Sequence, residues 1–181
     1  LGAGAFFNCS ALTSVVIPVG ITTVSNGLFF SCSSLTSVTI PSTVTSIGAE
    51  AFRYCSALTN LPIPASVTSF GTRAFANCRG LTSFSISQNV INIGTDPFIY
   101  CSVLTSISVD SNNLNYSSFE GVVFNKLKTT LVAFPPGVTG AYVIPSSVTT
   151  IGTKAFFTFS SCTAEVSHLR KCMFRKTQVG N

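Results

Sequence analysis

Cys9, Cys32, Cys55, Cys78 and Cys101 recur every 23 residues, an interval that fits one supersecondary unit and is too regular for unrelated cysteines. Phe6, Phe29, Phe52, Phe75 and Phe98 keep the same spacing. So do Leu12, Leu35, Leu58, Leu81 and Leu104, and the column Ile17, Ile40, Ile63, Ile86 and Val109. A chain that copies its apolar residues in this way brings them to equivalent places in successive coils, so the period predicts a solenoid.

Within one unit, Leu35-Thr36-Ser37-Val38-Thr39-Ile40 alternates apolar and polar residues and stops at Pro41, which cannot donate to a ladder. This predicts a short strand. Val44 and Ile47 follow, and Gly48 predicts a tight bend before Ala49 to Cys55, where Ala51, Phe52 and Cys55 would share one face of a helical turn. One such coil orders more backbone than its few apolar side chains can offset, so neighbouring coils must stack. Stacking pairs each strand with the next in a parallel sheet, about 4.8 Å per coil. The expected fold is an α/β repeat solenoid, with a parallel concave β-sheet and short helices or turns on the convex side.

The run Cys32-x-x-Leu35-x-x-Val38-x-Ile40-Pro41-x-x-Val44-x-x-Ile47-Gly48-x-x-Ala51-Phe52-x-x-Cys55 resembles the BspA-type, or TpLRR-type, leucine-rich repeats of bacterial and protist surface proteins. The resemblance covers roughly residues 1 to 156. Ser25 stands in place of the pattern's Gly, Leu28 and Pro97 in place of its Ala, and Ser87 in place of the strand-ending Pro. The resemblance implies a non-catalytic module of a cell-surface or secreted protein that adheres to host matrix proteins or to other cells.

The pattern Pro145, Val148, Ile151, Gly152, Ala155, Phe156 returns out of phase with Pro41 to Phe52, so about 110–144 interrupts the repeats. Strands over Gly121 to Phe124 and Thr130 to Phe134, with a polar turn Asn125 to Thr129, predict one β-hairpin. It is similar to the family's interruption in Tyr116-Ser117-Ser118, Gly121-Val122-Val123-Phe124-Asn125-Lys126 and Thr130-Leu131. Residues 1–156 are read as a single solenoid and 157–181 as an irregular basic C-terminal cap or tail. Leu1-Gly2 aligns with Ile47-Gly48, which places the start of the sequence inside a repeat.

The net charge of +5 invites a nucleic-acid reading, but Arg170, Lys171, Arg175 and Lys176 lie near the end. Residues 1–164 hold six bases and four acids, a net of +2, which argues against a nucleic-acid groove. No apolar stretch is long enough for a membrane span, and no signal peptide is read in the given sequence. The cysteines lack the close pairs of a zinc site and are read as a packed ladder, with no metal and no cofactor. Adjacent rungs lie within disulfide reach, although an odd ladder cannot pair completely.

The single histidine, His168, and the acids Glu50, Asp96, Asp110, Glu120 and Glu165 are scattered, so no catalytic residue is expected. The candidate ligand-binding face is the outward side of the strands. One column holds Ser14, Ser37, Asn60, Ser83 and Ser106; the next holds Val16, Thr39, Pro62, Ser85 and Ser108; Thr13, Thr36, Thr59, Thr82 and Thr105 flank them. Only 8% of residues are charged, so this face is hydroxyl-rich and suited to a protein partner. The alternative is a self-assembling homo-oligomer that buries it.

Overall fold

In the computed structural model, which describes residues 1–153, 155–156 and 164–165, the alternating run after Leu35 forms a short strand. Val38 points inward, while Ser37 and Thr39 point out. The first coil holds β1 (Ser14–Val16) and β2 (Thr23–Val24), and the second holds β3 (Ser37–Thr39) and β4 (Ser46–Ile47). The third contributes only β5 (Ser69–Phe70); the fourth holds β6 (Ser83–Ile86) and β7 (Asn92–Ile93), and β8 (Ser106–Val109) begins the fifth.

These strands build two parallel sheets, one of which the repeat pattern did not announce. β2, β4, β5 and β7 pair without offset, aligning Thr23, Ser46, Ser69 and Asn92. The expected strand face is broken instead: β1 pairs with β3 and β6 with β8, and no strand forms across Asn60 to Pro64. Pro62 occupies the position of Thr39 and has no N–H to give the ladder.

The convex arm corrects the expected short helices, since the described residues contain none. Its N–H groups alternate between two uses. Arg53 and Cys55 donate to Glu50 O and Phe52 O of their own coil, three residues back. Glu50, Phe52 and Tyr54 donate to Thr72 O, Ala74 O and Ala76 O of the following coil, at 2.8–2.9 Å. An α-helix needs every interior N–H for the residue four back, so this division excludes one. Left-handed backbone twice per coil does the same, as at Glu50 (φ 57°) and Tyr54 (φ 65°). Ala51, Phe52 and Cys55 still face the core, all fully buried.

The bend glycine also has a different reason from the expected turn. A Cβ on Gly71 would lie 2.3 Å from Ala49 N in the preceding coil, so the position is reserved for close backbone approach. Inside, Phe6, Phe29, Phe52, Phe75 and Phe98 stack with centroids 5.3–6.0 Å apart. Burying each of the central rings contributes about 1.5–3 kcal/mol.

The interruption is a three-stranded antiparallel meander in which the expected hairpin is the second half. β9 (Tyr116–Phe119) pairs with β10 (Val122–Asn125), which pairs with β11 (Thr130–Ala133). Val123 and Ala133 pack into the core of the preceding coils, whereas Val122, Phe124 and Leu131 pack into a second cluster with Phe134 and Tyr142. The two-residue period of a strand thus serves two cores at once. Beyond it, β12 (Tyr142–Val143) pairs with β14 (Ala164–Glu165), and β13 (Thr150–Ile151) pairs in parallel with β11. Apart from β14, the expected cap or tail over 157–181 lies outside the described residues.

Candidate functional site

All ten residues of the two candidate columns are exposed: Ser14, Val16, Ser37, Thr39, Asn60, Pro62, Ser83, Ser85, Ser106 and Ser108. Zero-offset pairing of Ser83 with Ser106 and of Ser85 with Ser108 keeps the columns straight. Their neighbours Val38, Phe84, Ile86 and Ile107 are buried, as strand alternation requires.

Hydrogen bonding separates columns that look alike in sequence. Two members of the threonine column bond coil to coil: Thr36 Oγ1 donates to Thr13 O at 3.0 Å and Thr105 Oγ1 to Thr82 O at 3.4 Å. Ser85 and Ser108 share their hydroxyls at 3.0 Å. The second sheet repeats the device with Thr45 to Thr22 O, Thr68 to Thr45 O and Ser46 to the Thr23 hydroxyl. Much of the hydroxyl-rich surface therefore joins one coil to the coil before it. Ser14, Ser37, Asn60, Ser83 and Ser106 differ, for their side chains make no hydrogen bond among the described residues. These five hold unused donors and acceptors.

The break at Pro62 divides this face. An open depression of about 450 Å³ lies there, walled by Ser37, Thr39, Asn60, Pro62 and Pro64. At the far side the meander closes the face: Ile107 N–H donates to Gly121 O at 2.8 Å, and a Cβ on Gly121 would crowd the Ser106 Cα at 3.1 Å.

The sequence reading missed what Tyr116-Ser117-Ser118 does. The Tyr116 hydroxyl accepts from Ile93 N–H at 3.2 Å, 23 residues back, and occupies the place of the next rung of the second sheet. Ser118 Oγ accepts from Val109 N–H at 3.0 Å and does the same for the first. Burial comes first in pushing the Tyr116 phenol above its ordinary range. Asn113, fully buried, donates to Ser87 O and Val90 O and accepts from the N–H groups of Asn115 and Tyr116, so all its capacity is used. The equality of 116 − 93 with the repeat length was the available signal.

Cys32, Cys55, Cys78 and Cys101 are buried free thiols. Each donates to the carbonyl of the phenylalanine 26 residues earlier, at 3.1–3.2 Å. Desolvation pushes Cys55 and Cys101 up to about 12 and Cys78 well up, with neighbouring thiols adding to the rise at Cys55 and Cys78. Thiols held neutral in this way are poor nucleophiles and poor metal ligands. Among the described residues no group of three or more His, Cys, Asp or Glu converges. No helix there is long and apolar enough to cross a membrane.

Parallel strands, one coil per repeat and an outward strand face define a leucine-rich repeat solenoid. A family model described as the BspA type leucine rich repeat region, in six copies, matches residues 1–129, and the chain belongs to that family. The fold is similar to that of a leucine-rich repeat protein from Eubacterium ventriosum, at 27% identity and TM-score 0.70, covering 86% of this chain and 48% of that one. The pneumococcal vaccine antigen PcpA shares the fold at 20% identity and TM-score 0.67, over 80% of this chain and 42% of its own. The T. pallidum leucine-rich repeat protein shares it at 21% identity and TM-score 0.57, over 83% and 60%. The chain spans less than half the length of the first two. A comparison with curated proteins found no match. Members of the family are in general non-catalytic repeat proteins, and the family implies interaction with other proteins.

Proposed function

We propose that the chain is a non-catalytic recognition module of a cell-surface or secreted protein, and that it takes a protein partner across its outward strand face. The observation that carries this reading is the unbonded column Ser14, Ser37, Asn60, Ser83 and Ser106, exposed beside the hydroxyls of Thr36, Thr105, Ser85 and Ser108 that are engaged between coils. Its regular rungs suit an extended partner surface, and the depression at Pro62 offers a place for a protruding side chain. Family membership supports the extracellular setting and, by resemblance, a host matrix or cell-surface protein as partner. Surface plasmon resonance against a panel of extracellular-matrix proteins tests it. A partner that binds the native chain should lose at least about tenfold in affinity to Asn60→Lys/Ser83→Lys, which leaves the core untouched. Binding unaltered by that double change removes the strand face from the reading.

A second reading, self-association, rests on exposed apolar side chains elsewhere. Ile91 and Leu114 stand 23 residues apart at one register position and are 63% and 81% exposed. Lys126 N–H bonds Asn115 O and so brings Leu127, 78% exposed, alongside. A patch of this kind favours a second copy. Sedimentation equilibrium decides: an oligomer that dissociates in Leu114→Ser/Leu127→Ser supports the reading, and a concentration-independent monomer ends it.

A further inference from the structure

Each inward cysteine is flanked on both sides by residues of the strand-entering turn. In two of these columns, Ser31, Tyr54 and Asn77 run beside Ser33, Ser56 and Arg79. They line an open groove of about 520 Å³ on the rim of the solenoid, apart from the strand columns. That volume falls within the range of small-ligand sites, roughly 300–1,000 Å³.

Asn77 is the informative residue. It is 5% exposed and lines the groove, yet its side-chain amide makes no hydrogen bond among the described residues. The amide atoms are not sealed from solvent, so their donor and acceptor, unused within the described chain, are available to a ligand that enters the groove. Asn113, the other buried asparagine, uses both ends of its amide and shows what packing alone would produce. The left-handed backbone at Asn77 (φ 60°) is shared by Ser31 and Tyr54, so the column is set by the coil and not by its side chains.

The rest of the lining narrows the ligand. Tyr54 is held in place: Arg53 lies over its ring at 4.8 Å, donates to its hydroxyl at 3.1 Å, and is anchored in turn to Glu50 at 2.6 Å. Arg79 is exposed and has no acid within ion-pair distance among the described residues, and no carboxylate lines the groove. A peptide draws its affinity from apolar anchors, and the only large apolar surface here is Tyr54. A nucleic acid needs several cations along its backbone, and the groove has one. An amide that wants a donor and an acceptor together, serine hydroxyls on successive rungs, an immobilised ring and one guanidinium match a sugar chain that bears a carboxylate.

We propose that this rim groove binds an acidic oligosaccharide, with neighbouring sugar hydroxyls on the Asn77 amide, a sugar face against Tyr54 and the carboxylate on Arg79. The site is independent of the strand face. Saturation-transfer NMR and calorimetry on the full chain, with tri-galacturonate and sialyllactose beside neutral maltotriose and lactose, test it. At least one acidic sugar should bind saturably, and its neutral counterpart at least about tenfold more weakly. Arg79→Ala should erase that preference, and Asn77→Gly, which keeps the left-handed backbone, should weaken binding about tenfold with the fold intact by circular dichroism. Ser83→Lys should change nothing. Absence of saturable binding by both acids overturns the proposal, as does equal affinity for acid and neutral sugars or binding that survives both groove variants. Because the strand-face variants leave the groove intact, failure here and failure of the protein-binding reading remain distinguishable.

Discussion

The two parallel sheets run along the same coils and tolerate disruption differently. The second sheet is unbroken from β2 to β7 and ends on the Tyr116 hydroxyl. The first is interrupted at the third coil, where Pro62 takes a ladder position, and the solenoid continues regardless. Cohesion therefore resides in the second sheet, the turn arm with its bonds between coils, and the phenylalanine and cysteine ladders. The outward strand face is left free to vary, and a binding surface requires that freedom.

This contrast can be broken most severely through the thiols. An unfolded cysteine ionises near 9, whereas burial holds Cys55 and Cys101 neutral up to about 12. The folded values are raised, so the contribution is complete below pH 9 and is lost as pH climbs from 9 through 12, at up to about 1.4 kcal/mol per thiol per pH unit. Urea midpoints should be flat from pH 7 to 8.5 and then fall steeply. A curve that stays level to pH 11 would contradict the buried ladder.

Phe75→Ala, at the centre of the ring stack, should cost about 3–5 kcal/mol in urea denaturation. Gly71→Ala should cost about 1–3 kcal/mol, since the added carbon meets the backbone of the preceding coil and not a flexible side chain. Tyr116→Phe removes the acceptor of Ile93 N–H, and a loss of about 1 kcal/mol with faster amide exchange at Ile93 is expected. Pro62→Thr acts in the opposite direction. By restoring a donor it should add roughly 0.5–1 kcal/mol and slow exchange at Leu61 to Ile63. Destabilisation there would mean that the break is required for packing, and the two sheets would not differ as described.

The coil period, the inward columns and the outward face could all be read from residues 23 apart, because any residue copied at the coil period occupies the same place in each turn. The ten candidate residues were legible for that reason, and all are exposed. Which of them are free was not legible. Thr36 and Ser37 are adjacent hydroxyl residues, yet the hydroxyl of one bonds Thr13 O of the coil before it and the hydroxyl of the other bonds nothing described. The helical turn expected at Ala51, Phe52 and Cys55 failed on similar grounds: their shared inward face is local, but their N–H partners lie in the next coil.

The sequence by itself settled that this chain winds, at what period, and which side chains turn inward, since these follow from local alternation and repetition. The tertiary structure alone decided the second sheet, the absence of helix from the described convex arm, the capping work of Tyr116 and Ser118, and the placing of the unbonded Asn77 amide at the rim groove. Each of these depends on which backbone group of a neighbouring coil stands opposite, and that is set only when the coils have stacked.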